Sequence, residues 1–233
     1  ICLITLRSRG KPSYITQIGT GNYNEKTSTM YTDLSLMTAD SQIGEDAATF
    51  FRNMLVNELD GRYQELCVSP YGIKAMLLRR IDEQIRLGSQ GYICIKANSI
   101  TEREVIDKLR EASQAGVEVQ LIIRGICCLL PGVPGCTDNI SITSVVGRFL
   151  EHARIYLFGR GEGETVYIAS ADLMTRNLNR RVEIACPVYD PQARQMLKWI
   201  LETQLRDSVK ASRMLYDGSY NRKHSAVAFD SQA

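Results

Sequence analysis

Between residues 91 and 124 the chain runs apolar strand, amphipathic helix, apolar strand, and that order leaves few folds open. Residues 91–97 and 117–124 read as strands of almost continuous apolar character. The helix between them spans 101–114, with Ser99, Thr101 and Glu104 as capping groups and Gly116 as its stop. Strands this apolar must be covered on both faces. A strand-helix-strand crossover of this length therefore predicts an α/β chain with a parallel or mixed sheet flanked by helices.

The flanking segments extend the pattern. Residues 1–6 and 13–18 read as a hairpin around Arg9-Gly10-Lys11-Pro12, and 30–36 as a further strand. Residues 40–59 carry apolar side chains at helical spacing, and 65–69 form a short strand. Ser69-Pro70 then starts a helix over 71–87 that Gly88 closes. Strands follow at 140–145, 153–158, 166–168 and 181–188, and a helix at 191–205; beyond Asp207 the chain is polar and poorly patterned. The expected organisation is a fragment of one α/β domain over 1–65, a complete related domain over 66–207 and a tail over 208–233. The opening Ile1-Cys2-Leu3-Ile4-Thr5, an apolar strand without Met or lead-in, reads as a piece of a longer protein.

Charge narrows the function. With 28 Lys and Arg against 26 Asp and Glu, the chain is too balanced to bind polyanions by bulk charge, so an anion site must be local. No apolar run has the length of a bilayer span, and no signal segment opens the chain. Cys2, Cys94 and Cys186 sit in strand-like stretches and read as reduced core residues, as in a cytosolic protein. Cys127-Cys128 and Cys136 lack both zinc-ligand spacing and a nearby His pair, so no metal site is expected. Gly159-Arg160-Gly161-Glu162-Gly163-Glu164 links two strands and carries acids, which makes it a hairpin turn rather than a nucleotide loop.

Self-comparison is the most informative reading. Ile18-Gly19-Thr20-Gly21-Asn22 sets against Ile168-Ala169-Ser170-Ala171-Asp172 without a gap. In the same register Asp33 falls opposite Glu183, and upstream Ile1-Cys2-Leu3-Ile4 matches Ile155-Tyr156-Leu157-Phe158. Three features in one order indicate a duplication. The second copy begins Glu151-His152-Ala153-Arg154, so the repeat predicts a His and a basic residue just before Ile1.

A His before a strand, a small-hydroxyl turn ending in Asn or Asp, and an acid on the next strand suit phosphoryl chemistry. His can attack phosphorus or move a proton near neutral pH, and an acid on its other ring nitrogen fixes the tautomer. Amides of the turn, with Arg nearby, can hold phosphoryl oxygens. Asp33 and Glu183 are thus candidates to support His, or else satisfied sheet acids; Asn22 is a candidate hydrogen-bond donor to phosphoryl oxygens. Arg124 ends an apolar strand, where open α/β sheets place ligands, or is a surface arginine at a strand end. Tyr31 is either a ligand contact or ordinary strand packing. Arg176, Arg180 and Arg181 form either a solvated basic turn or an anion-facing rim, and His224 in the polar tail reads as solvated.

Ile18-Gly19-Thr20-Gly21-Asn22-Tyr23-Asn24-Glu25-Lys26-Thr27, Tyr31-Thr32-Asp33, Arg124-Gly125-Ile126-Cys127-Cys128-Leu129, Pro131-Gly132-Val133-Pro134-Gly135 and Val146-Gly147-Arg148-Phe149-Leu150-Glu151-His152 together carry a strong resemblance. The chain resembles the carboxy-terminal part of the bacterial polyphosphate kinases, which share the phospholipase D-like fold. The resemblance implies reversible transfer of the terminal phosphate of ATP to inorganic polyphosphate, with magnesium, through a phosphohistidine. It places the phosphorylated His just before Ile1, His152 as the second active-site His, Arg124 and Tyr31 on nucleotide phosphates, and Asp33 beside the upstream His. The internal register gives Glu183 to His152. It further implies ATP/ADP and polyphosphate as partners, no nucleic acid, a homo-oligomer, and a cytoplasmic location with at most peripheral contact at the inner membrane face. Magnesium is expected to be held mainly upstream, and the 233 residues alone to be inactive. The competing readings are a phospholipase D-type phosphodiesterase and a non-catalytic polyanion-binding module.

Overall fold

Apolar residues on alternate positions of one strand have to be covered by two different layers, and residues 92–97 show how this chain meets that demand. In the computed structural model, which describes residues 1–8, 10–58 and 61–233, Ile93, Ile95 and Ala97 face one hydrophobic cluster while Cys94 faces another. The elements run β1 (Cys2–Ser8), β2 (Lys11–Gly19), α1 (Glu25–Ser28), β3 (Tyr31–Thr32), β4 (Ser35–Thr38), α2 (Ser41–Leu55) and β5 (Cys67–Val68). They continue α3 (Gly72–Leu87), β6 (Tyr92–Ala97), α4 (Arg103–Gln114), β7 (Glu118–Ile123), β8 (Ile140–Val145), β9 (Leu150–Glu151), β10 (Arg154–Phe158) and β11 (Thr165–Ala169). Last come α5 (Thr175–Asn179), β12 (Ile184–Pro187), α6 (Pro191–Arg206), β13 (Ala211–Met214) and β14 (Tyr220–Arg222).

The central layer is a nine-stranded sheet in the order β14-β13-β8-β7-β6-β10-β11-β12-β5. β6, β7 and β8 are parallel, as the crossover predicts, and the other pairings are antiparallel. Ile73, Leu77 and Ile81 of α3 and Val105 and Leu109 of α4 cover one face. Leu197 and Leu201 of α6 lie on the other, in one cluster with Ile43, Ala47 and Phe50 of α2 and Ile18 of β2. The amino-terminal segment, whose β1-β2-β4 form a separate antiparallel sheet, thus shares its core with the larger part.

Helix ends follow the expected chemistry in part: Glu102 takes the cap position of α4 with no side-chain hydrogen bond, so Ser99, Thr101 and Glu104 do not cap it. Asp40 caps α2 by accepting from the amides of Gln42 and Ile43, each at 2.9 Å. Gly88 stops α3 at a positive φ of 54° that a side chain would resist. Arg9, in the expected hairpin turn, and Leu59, in the expected end of α2, lie outside the described residues.

Other expectations change. Cys2, expected in the core, is exposed, while Cys94 and Cys186 are buried. The single strand expected over 30–36 is divided into β3 and β4, because Tyr31 and Thr32 leave the small sheet to pair in parallel with Leu150 and Glu151 of β9. The tail beyond Asp207 is not an unpatterned appendage: β13 pairs with β8 and β14 with β13. Asp207 seats this segment. Fully buried, its carboxylate accepts from the amides of Val209 (2.9 Å), Lys210 (2.7 Å), Ala211 (2.9 Å) and Ser231 (2.8 Å), and from the Ser231 hydroxyl (2.6 Å). Burial pushes its pKa up, but the hydrogen bonds from Ser231 and the turn amides outweigh that and hold it near 2.

Because the folded value lies below the ordinary carboxylate value, this contribution is complete above about pH 4 and fades as pH falls through about 2. Asp207→Asn turns an amide group toward these donors. Hydrogen exchange of the intact protein is expected to show the amides of 207–232 losing about 2 kcal/mol of protection; unchanged protection would contradict this role.

Candidate active site

The parallel contact of β3 with β9 brings the two candidate half-sites together. Leu150 donates to Met30 O at 3.0 Å, and His152 and Ala153 donate to Thr32 O at 3.2 and 2.9 Å. The residue after Thr32 is Asp33, so its carboxylate arrives beside the imidazole that follows β9. His152 Nδ1 lies 2.9 Å from Asp33 Oδ1 and 3.0 Å from Oδ2. The Tyr31 ring packs beside the imidazole, centroids 4.6 Å apart and planes tilted by 40°. Arg154 Nη1 lies 3.2 Å from Nδ1 and 3.1 Å from Nε2, which places the guanidinium against the ring face.

The electrostatics agree with this arrangement. Burial raises the Asp33 pKa, but hydrogen bonds from His152 and Thr20 and the charges of His152 and Arg154 bring it below the usual carboxylate range. An ionised Asp33 assigns the imidazole proton to Nδ1 and leaves Nε2 as the free nitrogen. Arg154 is held in turn: it grips Asp172 with Nε at 3.1 Å and Nη2 at 2.9 Å, and its Nη1 donates to Thr20 O at 2.9 Å. Asp172 also accepts from the Asn98 amide at 2.7 Å. Burial raises its pKa, and Arg154 together with Asn98 more than compensates.

Arg124 follows β7, at the carboxyl end of the parallel strands. Its Nε donates to Glu151 O at 3.0 Å, and its side chain borders a cavity of about 530 Å³ with Tyr31, Gly147, Phe149 and Glu151. Asn22 is exposed and lines a second cavity of about 270 Å³ with Gly21, Tyr31 and Asp33. Tyr31 borders both. His152, Asp33, Tyr31 and Arg124 are therefore brought together, with Asn22 at the margin.

Glu183 is not among them. The internal register pairs it with His152, and the family resemblance pairs Asp33 with the upstream His. The structure gives Asp33 to His152 instead, because β3 crosses from one half to the other. The Glu183 carboxylate accepts from Ser170 Oγ at 2.5 Å and Asn177 Nδ2 at 2.7 Å.

The duplication itself is visible bond for bond. Thr20 N donates to Leu34 O and Leu34 N to Thr20 Oγ1, each at 2.9 Å, while Thr20 Oγ1 donates to Asp33 Oδ1 at 2.7 Å. Ser170, Ile184 and Glu183 repeat all three bonds: 2.9 Å for Ser170 N to Ile184 O and 3.0 Å for Ile184 N to Ser170 Oγ, with the Ser170–Glu183 bond above. The ladders match as well. Cys2 sits opposite Gln17, so Ile1 continues toward Ile18, as Ile155 sits opposite Ile168.

Sequence reasoning left Arg154, Asp172 and Asn98 without assigned tasks and passed over Lys96. A lysine inside Ile93-Cys94-Ile95-Lys96-Ala97 is a signal it could have used, since a buried ammonium needs a partner. Lys96 is 2% exposed, burial pulls its pKa down to about 8, and the Glu151 carboxylate opposes that shift. Among the described residues no three His, Cys, Asp or Glu side chains could together hold a metal. Asp33, Asp172 and Glu183 are already engaged as above. These residues do not fit a magnesium site.

A family model described as polyphosphate kinase C-terminal domain 2 matches residues 66–232, and one described as C-terminal domain 1 matches residues 1–59. The polyphosphate kinase of Staphylococcus haemolyticus is 44% identical over 224 residues, covering 95% of this chain and 31% of the relative. That of Bacillus cereus is 44% identical over 223 residues, covering 94% and 32%. The crystal structure of polyphosphate kinase from Porphyromonas gingivalis matches with a TM-score of 0.88 at 39% identity, over 99% of this chain and 36% of that one. The chain spans about a third of the length of these relatives.

A Cβ at Gly21 would overlap the Asp33 carboxylate, so Gly21→Ala must displace the group that fixes His152. In the intact protein it is expected to lower turnover by about 10²-fold with secondary structure unchanged by circular dichroism. Full turnover would contradict the close fit.

Proposed function

This chain belongs to the polyphosphate kinase family, and from that premise we propose that its cleft is one half of a phosphoryl-transfer centre working between ATP and inorganic polyphosphate. The observation that carries the reading is the 2.9 Å contact of His152 Nδ1 with Asp33, since it frees Nε2 for chemistry while holding the ring in one orientation. Arg124 clamps phosphate oxygens with its outer nitrogens, a two-pronged task that lysine fills poorly, and Tyr31 borders the same space. Arg124, whose Nε is tied only to a main-chain oxygen, supplies local positive charge at the cleft, whereas Lys96 and Arg154 are paired with Glu151 and Asp172.

In this reading the nucleophile is a first-half His supplied from upstream. The ladder register supports it: the counterpart of Arg154 falls one position before Ile1, and that of His152 two positions earlier still. That His attacks the terminal phosphorus of ATP, forming an N–P bond as the bond to ADP breaks. The polyphosphate end then attacks the same phosphorus, forming P–O as N–P breaks. His152 faces the group in transit and moves a proton or stabilises charge through Nε2, with Asp33 supporting the imidazolium. By the two-fold relation Glu183 stands to the upstream His as Asp33 stands to His152. Magnesium enters with groups outside these residues.

Domain limits at 1–65 and 66–207, and a phospholipase D-like ancestry of both halves, belong to the same proposal. So do assembly as a homo-oligomer and a cytoplasmic site of action with at most peripheral membrane contact. No helix among the described residues is long and apolar enough to cross a membrane.

With ATP labelled in its terminal phosphate, the intact protein is expected to give an acid-labile, base-stable phosphoprotein. His152→Ala should lower polyphosphate synthesis by at least about 10²-fold, and Arg124→Ala should raise KM for ATP by about tenfold or more. Unimpaired synthesis in His152→Ala would remove His152 from the reaction; an unchanged KM in Arg124→Ala would remove Arg124 from the phosphate site.

A further inference from the structure

The residue before His152 is gripped by four separate parts of the fold. Glu151 is 7% exposed, and its Oε2 lies 3.5 Å from Lys96 Nζ on β6 and 3.1 Å from Thr32 Oγ1 on β3. Gln204 of α6 donates to the same oxygen, and Gln232 Nε2 of the carboxy-terminal segment donates to Oε1 at 2.6 Å. A buried carboxylate with this many donors has little freedom to move.

Gln232 does more than fill one lone pair. Its side-chain amide also takes both main-chain groups of Phe149, donating to Phe149 O at 3.0 Å and accepting from Phe149 N at 3.2 Å. It thereby holds both ends of the three-residue run 149–151 that leads into His152. Gln232 is itself fixed, since its main-chain N–H donates to Asp230 Oδ1 at 2.9 Å and Asp230 pairs with Lys210 at 2.9 Å. Lys210 and Ser231 both donate to Asp207, so the Gln232 brace on residues 149–151 is anchored at the Asp207 seat.

We infer that Glu151 is the positioning residue that aims His152, and that Gln232 of the carboxy-terminal segment completes the active site by locking Glu151 and Phe149 in place. The brace also meets the substrate side of the cleft, because Arg124 is tethered to Glu151 through the main-chain oxygen. The first half takes part through Thr32, so the same carboxylate ties together both copies of the duplication and the segment that follows them.

This inference rests on the reading of His152 as part of the transfer centre, and two variants separate them. In the intact enzyme Gln232→Ala is expected to lower kcat for polyphosphate synthesis about tenfold, because a small misplacement of a reacting group is costly. KM for ATP should stay within about threefold, and the midpoint of thermal unfolding should be little changed. Glu151→Gln sets an NH2 against one of the donors that converge on this carboxylate, and is expected to lower kcat at least as far with KM for ATP again within about threefold. An unaltered kcat in Gln232→Ala, or a loss that vanishes when the assay is cooled well below unfolding, overturns the brace. If His152→Ala is itself fully active, the transfer reading fails first; if it is inactive while Gln232→Ala runs at full rate, only the brace fails.

Discussion

The two residues of β3 lying beside the two residues of β9 are a short stretch of sheet, yet the site depends on them. Without that pairing Asp33 would stay with the small amino-terminal sheet, and His152 would face solvent with no acid behind it. With it, the carboxylate of one half reaches the imidazole of the other at hydrogen-bond distance. The cores agree with this junction, since Ile18, Ile43 and Phe50 share a cluster with Cys94, Ile155 and Leu157. The apolar contact of the two halves therefore acts as the scaffold on which a polar alignment is held.

Crossing of partners has a physical advantage over pairing within each half. An acid carried on the same half as its His would be fixed whether or not the halves had met. An acid delivered from the other half leaves the imidazole aligned only when both copies are docked, so assembly of the cleft and orientation of His152 become one event. Arg154 strengthens the coupling, since the guanidinium that grips Asp172 of its own half also reaches Thr20 O of the other. Glu151 extends it to the end of the chain.

Much of this was legible in residues 1–190 because local patterns and the tertiary answer coincide there. The β6-α4-β7 crossover and the Gly88 stop are each written in a few neighbouring side chains, and the repeat is exact enough that Thr20 and Ser170 make matching bonds. What sequence could not give was the partner of each acid. Register aligns Asp33 with Glu183 as equivalent positions, but equivalence says nothing about which copy each one faces. The tail was illegible for a different reason. Its strands are short, β14 is exposed throughout, and its fixed point is a set of backbone amides around Asp207, which leave no periodicity to read. Gln232 carries no pattern at all until its contact with Glu151 is seen.

The alignment of His152 can be observed directly by nitrogen NMR of the intact protein labelled in its histidines, with the His152 signals identified by their loss in His152→Asn. In the neutral ring, Nδ1 is expected to carry the proton, hydrogen-bonded to Asp33, and Nε2 to show the shift of an unprotonated nitrogen. Asp33→Asn should release that preference. A proton found on Nε2, or a ring whose signals are indifferent to Asp33→Asn, would contradict the cross-half alignment on which the account is built.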